Sequence, residues 1–447
     1  MIMLRKLKYI LPAVMLVLMV GSCKRAYFYS GINDDPSQLK SPTSQAVLPS
    51  VELMTAYGYG GDQSRFISLF MQQVTGIANQ SANANNYQIT PDDVDNMWTF
   101  GLYGAIMANA DTLIKVGKNS GELHYAAIGM IMMAFNLGSA TDLWGDVPYT
   151  EAFQGLSNTS PKYDPQQQVY DTLHALLDRA ITYLSTDDGA GFQPGESDDL
   201  VYGGDLDAWI AFAHSLKAKY YLHTVKVNGS AAITSALAEV ADGFSSTSQD
   251  AFLKFVGNAA VTTQNPWYQF NTQRGDIDFS GYLNDLLNSS GDPRADVYFD
   301  GTDLGTLYGS ANSPVYFMSY DELKFIEAEL QFRNSNLVDA AAAYNAAVEA
   351  NLQRTVGSTA YAATVAKTAA TITLQDIIVQ KYIALFLNPE TWSDWRRTGY
   401  PALTAPPANV LNGALPRSLF YPSSEVRYNT NTPTNTTLTR RVWWDVQ

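Results

Sequence analysis

Three pairs of adjacent acids, Asp92-Asp93, Asp187-Asp188 and Asp198-Asp199, are the first residues whose type could do chemistry. Glycoside hydrolysis needs two carboxylates flanking one glycosidic bond. All three pairs, however, sit beside turn or helix-start residues, where an acid ordinarily accepts backbone N–H groups. The four histidines, His124, His174, His214 and His223, include no pair at i, i+4, so the sequence offers no helical zinc site. It contains no G-x-S-x-G elbow and no Walker phosphate loop. Asp205-x-Asp207 and Asp276-x-Asp278 supply spaced oxygens that calcium could use, but neither continues as an EF-hand loop. The reading is of a protein that is not an enzyme and has no cofactor, with calcium the one metal left open.

Binding chemistry is better represented. Tyr57, Tyr59, Tyr87, Trp267 and Tyr268 fall in segments read as loops, among Asn and Gln side chains. A sugar ring has an apolar C–H face and a hydroxyl rim, so a flat aromatic surface flanked by amides holds it without reaction. Tyr87, Trp267 and Tyr268 are the candidate ligand residues. Asp142, Trp144, Asp146 and Tyr149 lie close together and are read as fixing a loop. Arg396 and Arg397 follow Trp392 and Trp395 on a short helix and are expected to pair with buried acids such as Glu327 or Glu329.

Cys23 is the only cysteine, so it can form no disulfide within the chain. Before it, Arg5, Lys6 and Lys8 form a basic head to an apolar stretch over 9–20, too short to span a membrane. Val20-Gly21-Ser22-Cys23 resembles a lipobox, which makes 1–22 a signal peptide and Cys23 the acylated first residue of the mature chain. Acyl chains would hold a soluble body at a bilayer surface, each buried methylene contributing ~0.8 kcal/mol. Residues 23–40 read as a polar tether. No hydrophobic segment of spanning length is expected in the rest of the chain.

The net charge of −15 becomes −18 once the leader's three basic residues are removed, since the leader carries no acid. Such a surface excludes nucleic acid and anionic headgroups as partners. Charged residues make up only 16% of the chain, leaving neutral hydrogen-bonding groups to dominate its polar surface.

These side chains must be positioned by helices. Ser41-Pro42 and Thr90-Pro91-Asp92-Asp93 read as helix starts, with a cap, an early proline and acids at the positive end of the dipole. Helices are expected from 41 to just before Gly58, over 62–77, over 90–115 and over 122–140, with 79–90 a loop. The compact segment 141–149 is expected to stop the fourth helix. Trp209, Phe212, Leu216 and Tyr220 recur at helical spacing, as do Leu323, Ile326 and Leu330, and Leu374, Ile378, Tyr382 and Leu385. Asn336-Leu337 separates one helix from an alanine-rich partner over 339–352, and 314–318 is one of few strand signals.

Several separated motifs stand in one order. They are Asp142-x-Trp144-Gly145-Asp146-Val147-Pro148-Tyr149; Gly203-Gly204-Asp205 with Trp209; Asp292-Pro293-Arg294; Asp321 to Glu329; Asn388-Pro389-Glu390 with Arg396 to Pro401; and Tyr421-Pro422 to Glu425. Together they resemble the SusD/RagB family of Bacteroidetes over 35–428. The resemblance implies a mostly α fold over 41–447, a scaffold of tetratricopeptide-type helix pairs with long loops and few short strands. It also implies an outer-membrane, cell-surface lipoprotein that binds a nutrient, most simply a glycan or oligosaccharide, and delivers it to a SusC-like TonB-dependent transporter. A peptide or other non-sugar nutrient on the same scaffold is the alternative.

Overall fold

The computed structural model describes residues 42–258, 260–434 and 436–447. The signal peptide, Cys23 and the tether to residue 40 lie outside the described residues. The first helix, α1, covers Ser44–Gly58 and so begins two residues after Pro42. It buries Val47, Leu48 and Val51, then runs into a segment of π-type coil, Tyr59–Gln63, which continues as α2, Ser64–Phe70. The helix expected to reach residue 77 therefore stops at Phe70, and Thr75–Gly76 forms a strand, β1. The expected loop over 79–90 contains a helix, α3, at Asn79–Asn85.

Thr90 is at the expected helix start, and with Asp93 it forms a capping box, each side chain accepting the other residue's backbone N–H. The chain then enters a second, longer π-type coil, Met97–Met107, which leads into α4, Ala108–Ser120. The next helix, α5, spans Leu123–Trp144 and is buried on nearly every side. By length and composition it could cross a membrane, contrary to expectation, yet it is wrapped by the rest of the protein and serves as the central core helix. It also passes through Asp142 and Trp144, where a loop was expected. Gly145, with φ of +84°, ends it, a conformation that favours glycine.

Further helices follow, of which the first two pack directly on this axis. They are α6, Gln166–Leu184; α7, Leu206–His223, started by Asp205 accepting the Ala208 amide; α8, Val225–Asp242; and α9, Pro266–Arg274. Then follow α10, Tyr282–Ser290; α11, Tyr320–Arg333; α12, Leu337–Thr355; α13, Leu374–Ala384; α14, Glu390–Thr398; and α15, Ser423–Tyr428. The pairs α4/α5, α5/α6, α7/α8 and α11/α12 pack most extensively, which is the helix-hairpin scaffold the sequence implied. Residues Ser44–Gln447 form one compact unit.

Strands are short and occur in antiparallel pairs. The expected strand at Pro314–Met318 is present and pairs with Ala251–Lys254. β1 pairs with Ile277–Asp278, setting Thr75 opposite Asp278. That small pairing is consequential, because it ties the end of α9 to the chain leaving α2 and so fixes one wall of the groove described next.

Candidate binding site

A groove of about 610 Å³ lies where α1, the two π-type coils and α9 meet. Its size is within the usual range for a small-molecule site. Both π-type segments among the described residues contribute to it, Gly61 and Asp62 from the first, Met97, Phe100 and Gly101 from the second. Such coils recur at functional sites because they turn side chains to directions a regular helix would not give. Here the result is Phe100, whose ring is 70% exposed at the groove. Gly104 is required close by. A Cβ there would come within 2.3 Å of the Thr99 carbonyl oxygen, which the wide coil brings beneath it.

The opposite wall is α9. Asn265 caps it, its side-chain oxygen accepting from the Trp267 and Tyr268 amides at 2.8 and 3.2 Å. One face of the helix then offers Gln269, Phe270 and Gln273 to the groove. The Arg65 guanidinium lies 4.3 Å above the Phe270 ring and is paired with Asp62. Tyr57 lines the floor, its hydroxyl donating to the Val261 and Gln264 carbonyls and accepting from the Gln269 amide at 3.1 Å. Asn96 and Gln273 add exposed amides.

Chemically, the groove offers rings and amides rather than a reacting pair. Among the lining residues Asp62 is the one carboxylate, and it is spent on Arg65. A two-carboxylate hydrolysis has no pair to work with there. Aromatic faces with neutral amides and a self-compensated charge pair suit a neutral, hydroxylated ligand.

The sequence-predicted residues fare differently from one another. Tyr87 is 1% exposed, with its ring edge against Phe70. Trp267 is 3% exposed, its indole N–H donating to the Ser64 hydroxyl at 2.8 Å and its ring packed on Phe279. Neither ring has a face free to stack on a sugar. Both read as loop aromatics because asparagines surround them in sequence, but they point inward and anchor their segments. Tyr268 is half-buried beside the groove-lining residues of α9. Phe100 and Phe270, the aromatic residues that line the groove beside Tyr57, went unremarked in the sequence. The available signal was an aromatic set among glycines, Phe100-Gly101-Leu102-Tyr103-Gly104, which a regular helix would rarely carry.

Most of the acids singled out in the sequence accept hydrogen bonds that fix the fold. Asp199 accepts from the Val201, Tyr202 and Gly204 amides and from the Trp209 indole, and Asp198 accepts from the Tyr125 hydroxyl. Asp188 accepts from the Ala190 and His124 amides. Asp205 is a helix cap, and Asp276 accepts from the Asn79 amide at 2.8 Å. Asp142 accepts from Tyr170 and from Trp444, and Asp146 from the Gln166 amide, as befits a structural motif. The expected pairing of Arg397 with Glu329 is present, bidentate at 2.7 and 3.0 Å, whereas Glu327 is engaged by Lys324. Arg396 donates to the carbonyls of Asp142 and Arg417 and lies between the Trp392 and Trp444 rings.

One cluster was not foreseen. Asp142, His223 and Glu390 are buried with ligand-type atoms within 4.8 Å of one another. His223 Nε2 is 2.7 Å from Glu390, and Nδ1 is 2.8 Å from the Tyr170 hydroxyl, which donates to Asp142. Burial works against a charge on His223, but Glu390 and then Asp142 overcome it and push its pKa up to about 9. With Lys219 also 3.9 Å from Glu390, the cluster forms an ion network of opposed charges.

A family model described as SusD-like, starch-binding and associating with the outer membrane, matches residues 36–310 and 302–422. The chain belongs to this family. A SusD/RagB family protein from Bacteroides thetaiotaomicron is 24% identical and superposes with a TM-score of 0.73, covering 91% of this chain and 99% of that one. A chitin-binding protein is 23% identical with a TM-score of 0.76, covering 91% and 100%. A chitin-binding SusD homologue from Flavobacterium johnsoniae is 22% identical with a TM-score of 0.72, covering 90% and 97%. A search of curated proteins returns no match.

Proposed function

We propose that this SusD-like chain is an outer-membrane lipoprotein, acylated on Cys23 and displayed at the cell surface. It captures a neutral glycan in the groove between α1, α9 and the two π-type coils, and passes it to a SusC-like TonB-dependent transporter. The observation that carries this reading is a groove of about 610 Å³ lined by exposed Phe100, by Phe270 and by neutral amides. Two structural neighbours titled as chitin-binding support the ligand class. No metal enters the proposed binding, so a chelator leaves it unchanged.

The test is a glycan screen against the mature chain. Phe100→Ala is expected to weaken binding by ~1–3 kcal/mol, the range for an aromatic anchor, with thermal unfolding unchanged. Loss of no affinity in that variant, or turnover of a bound glycan, would overturn the reading. Delivery is tested by co-purification with a large β-barrel receptor, and anchoring by whether Cys23→Ala releases the protein from membranes.

A further inference from the structure

A second groove, of about 340 Å³, lies on the other flank of the Met97–Met107 coil. Met97, Phe100 and Gly101 face the first groove, and Trp98, Thr99, Tyr103 and Gly104 face the second. The two depressions are thus separated by a single helix, about 10–12 Å across with its side chains. Glycines 101 and 104 keep that ridge low.

A column of near-parallel rings runs beside the second groove, with Trp98 buried at 2% exposed, so that half-buried Tyr103 and Phe153 are the rings that meet the groove. Trp98 stacks on Tyr103 with centroids 4.5 Å apart and planes 28° from parallel. Tyr163 continues the column on one side, at 6.2 Å and 21°, and Phe153 on the other, at 6.0 Å and 20°. In an α-helix, residues five apart such as Trp98 and Tyr103 would point about 140° away from each other. The π-type coil, in which the Ala108 amide donates to the Tyr103 carbonyl five residues back, sets them one above the other. Phe153 ends the column in the left-handed region at φ of +58°, a costly conformation for a ring-bearing residue that its surroundings enforce. Tyr428, 78% exposed, faces the same space.

Polar groups at the rim complete the site. Glu425 accepts from the Tyr163 hydroxyl through Oε2, leaving Oε1 without a hydrogen bond among the described residues, and the Gln154 side chain is exposed. No cation lines the groove, so a phosphate or other anion has no partner there and meets a carboxylate. A neutral ring with one apolar face and a hydroxyl rim fits both the rings and the acceptors.

We propose that this groove is a second saccharide subsite, and that one glycan chain crosses the 97–107 ridge to occupy both grooves. The inference rests on the glycan reading above and adds to it that the ligand is a chain longer than the first groove holds. Chito- and malto-oligosaccharides, as disaccharide and hexasaccharide, are titrated calorimetrically into the mature wild-type chain and into Tyr428→Ala, Phe153→Ala and Phe100→Ala. The wild type is expected to bind one hexasaccharide at least about tenfold tighter than its disaccharide. Tyr428→Ala and Phe153→Ala should erase that advantage while leaving disaccharide affinity unchanged. Tyr428 is exposed, so its variant reports even where Phe153→Ala misfolds. A length preference that is absent, or that survives both variants, overturns the second subsite while Phe100→Ala still tests the first groove. Binding of neither series by the wild type counts against the glycan reading itself and removes the subsite with it.

Discussion

The region where α7, α11, α13 and α14 meet and the region around the two π-type coils use opposite means to hold side chains in place. In the first, regular helices bury full charges in pairs, Arg397 with Glu329 and Asp394, Lys381 with Asp394, and His223 between Glu390 and Asp142. Burial alone would neutralise such groups, and their partners reverse it. The two arginines beside Glu329 hold its carboxyl well below the usual range despite complete burial. In the second region the helices are irregular, the charges few, and the side chains that matter are rings and amides left open to water. The contrast separates a part of the molecule whose geometry must not change from a part whose geometry is set to meet something else.

The sharpest way to break that comparison is to remove a charge from the interior. Arg397→Ala leaves buried Glu329 with Arg333 alone and buried Asp394 with Lys381 alone, and is expected to destabilise by ~3–5 kcal/mol, read as a large fall in denaturant midpoint. Trp267→Ala tests the border between the regions. Its ring is core, so a loss of about 3–5 kcal/mol is expected, although it lies on the same helix as groove residues; unchanged stability with weakened binding would return it to the ligand surface.

A gentler probe is pH. The folded-state pKa of His223 is raised to about 9 from an ordinary 6.5. Its contribution to stability is therefore complete below about 6.5 and lost as pH rises through about 9. Urea midpoints of the wild type should fall across that window, and His223→Gln should lack that part of the fall. The smallest effect expected is Gln273→Ala, an exposed amide facing the groove. It should cost binding about 0.5–1.5 kcal/mol, the net worth of a single hydrogen bond, and leave the midpoint where it was.

Much of the scaffold was legible because it follows local rules. The Thr90 helix start and the strand at 314–318 come from residue types at short spacings, and the Arg397–Glu329 pair from a buried arginine's need for an acid. What escaped depends on distant contacts. The α3 helix at 79–85 is rich in asparagine, a weak helix former, and is held by the β1 pairing and Asp276 rather than by its own composition. Helix α5 continues through Asp142 because Tyr170 and Trp444 supply the buried carboxylate with donors from other elements. The binding surface was the hardest to read. Periodicity assumes 3.6 residues per turn, and the coil that presents Phe100 does not obey it.

That wide coil also gives the molecule an unusual sensitivity to length. A π-type turn carries about one residue more than an α-turn. Deleting one residue between 97 and 107 would let the turn close to α geometry and rotate the preceding side chains by about 100° relative to those that follow. Phe100 and Trp98 would leave their grooves while α4, directly downstream, kept its own packing. A change of a single codon is thereby a stronger lever on the shape of both grooves than most exchanges of one amino acid for another.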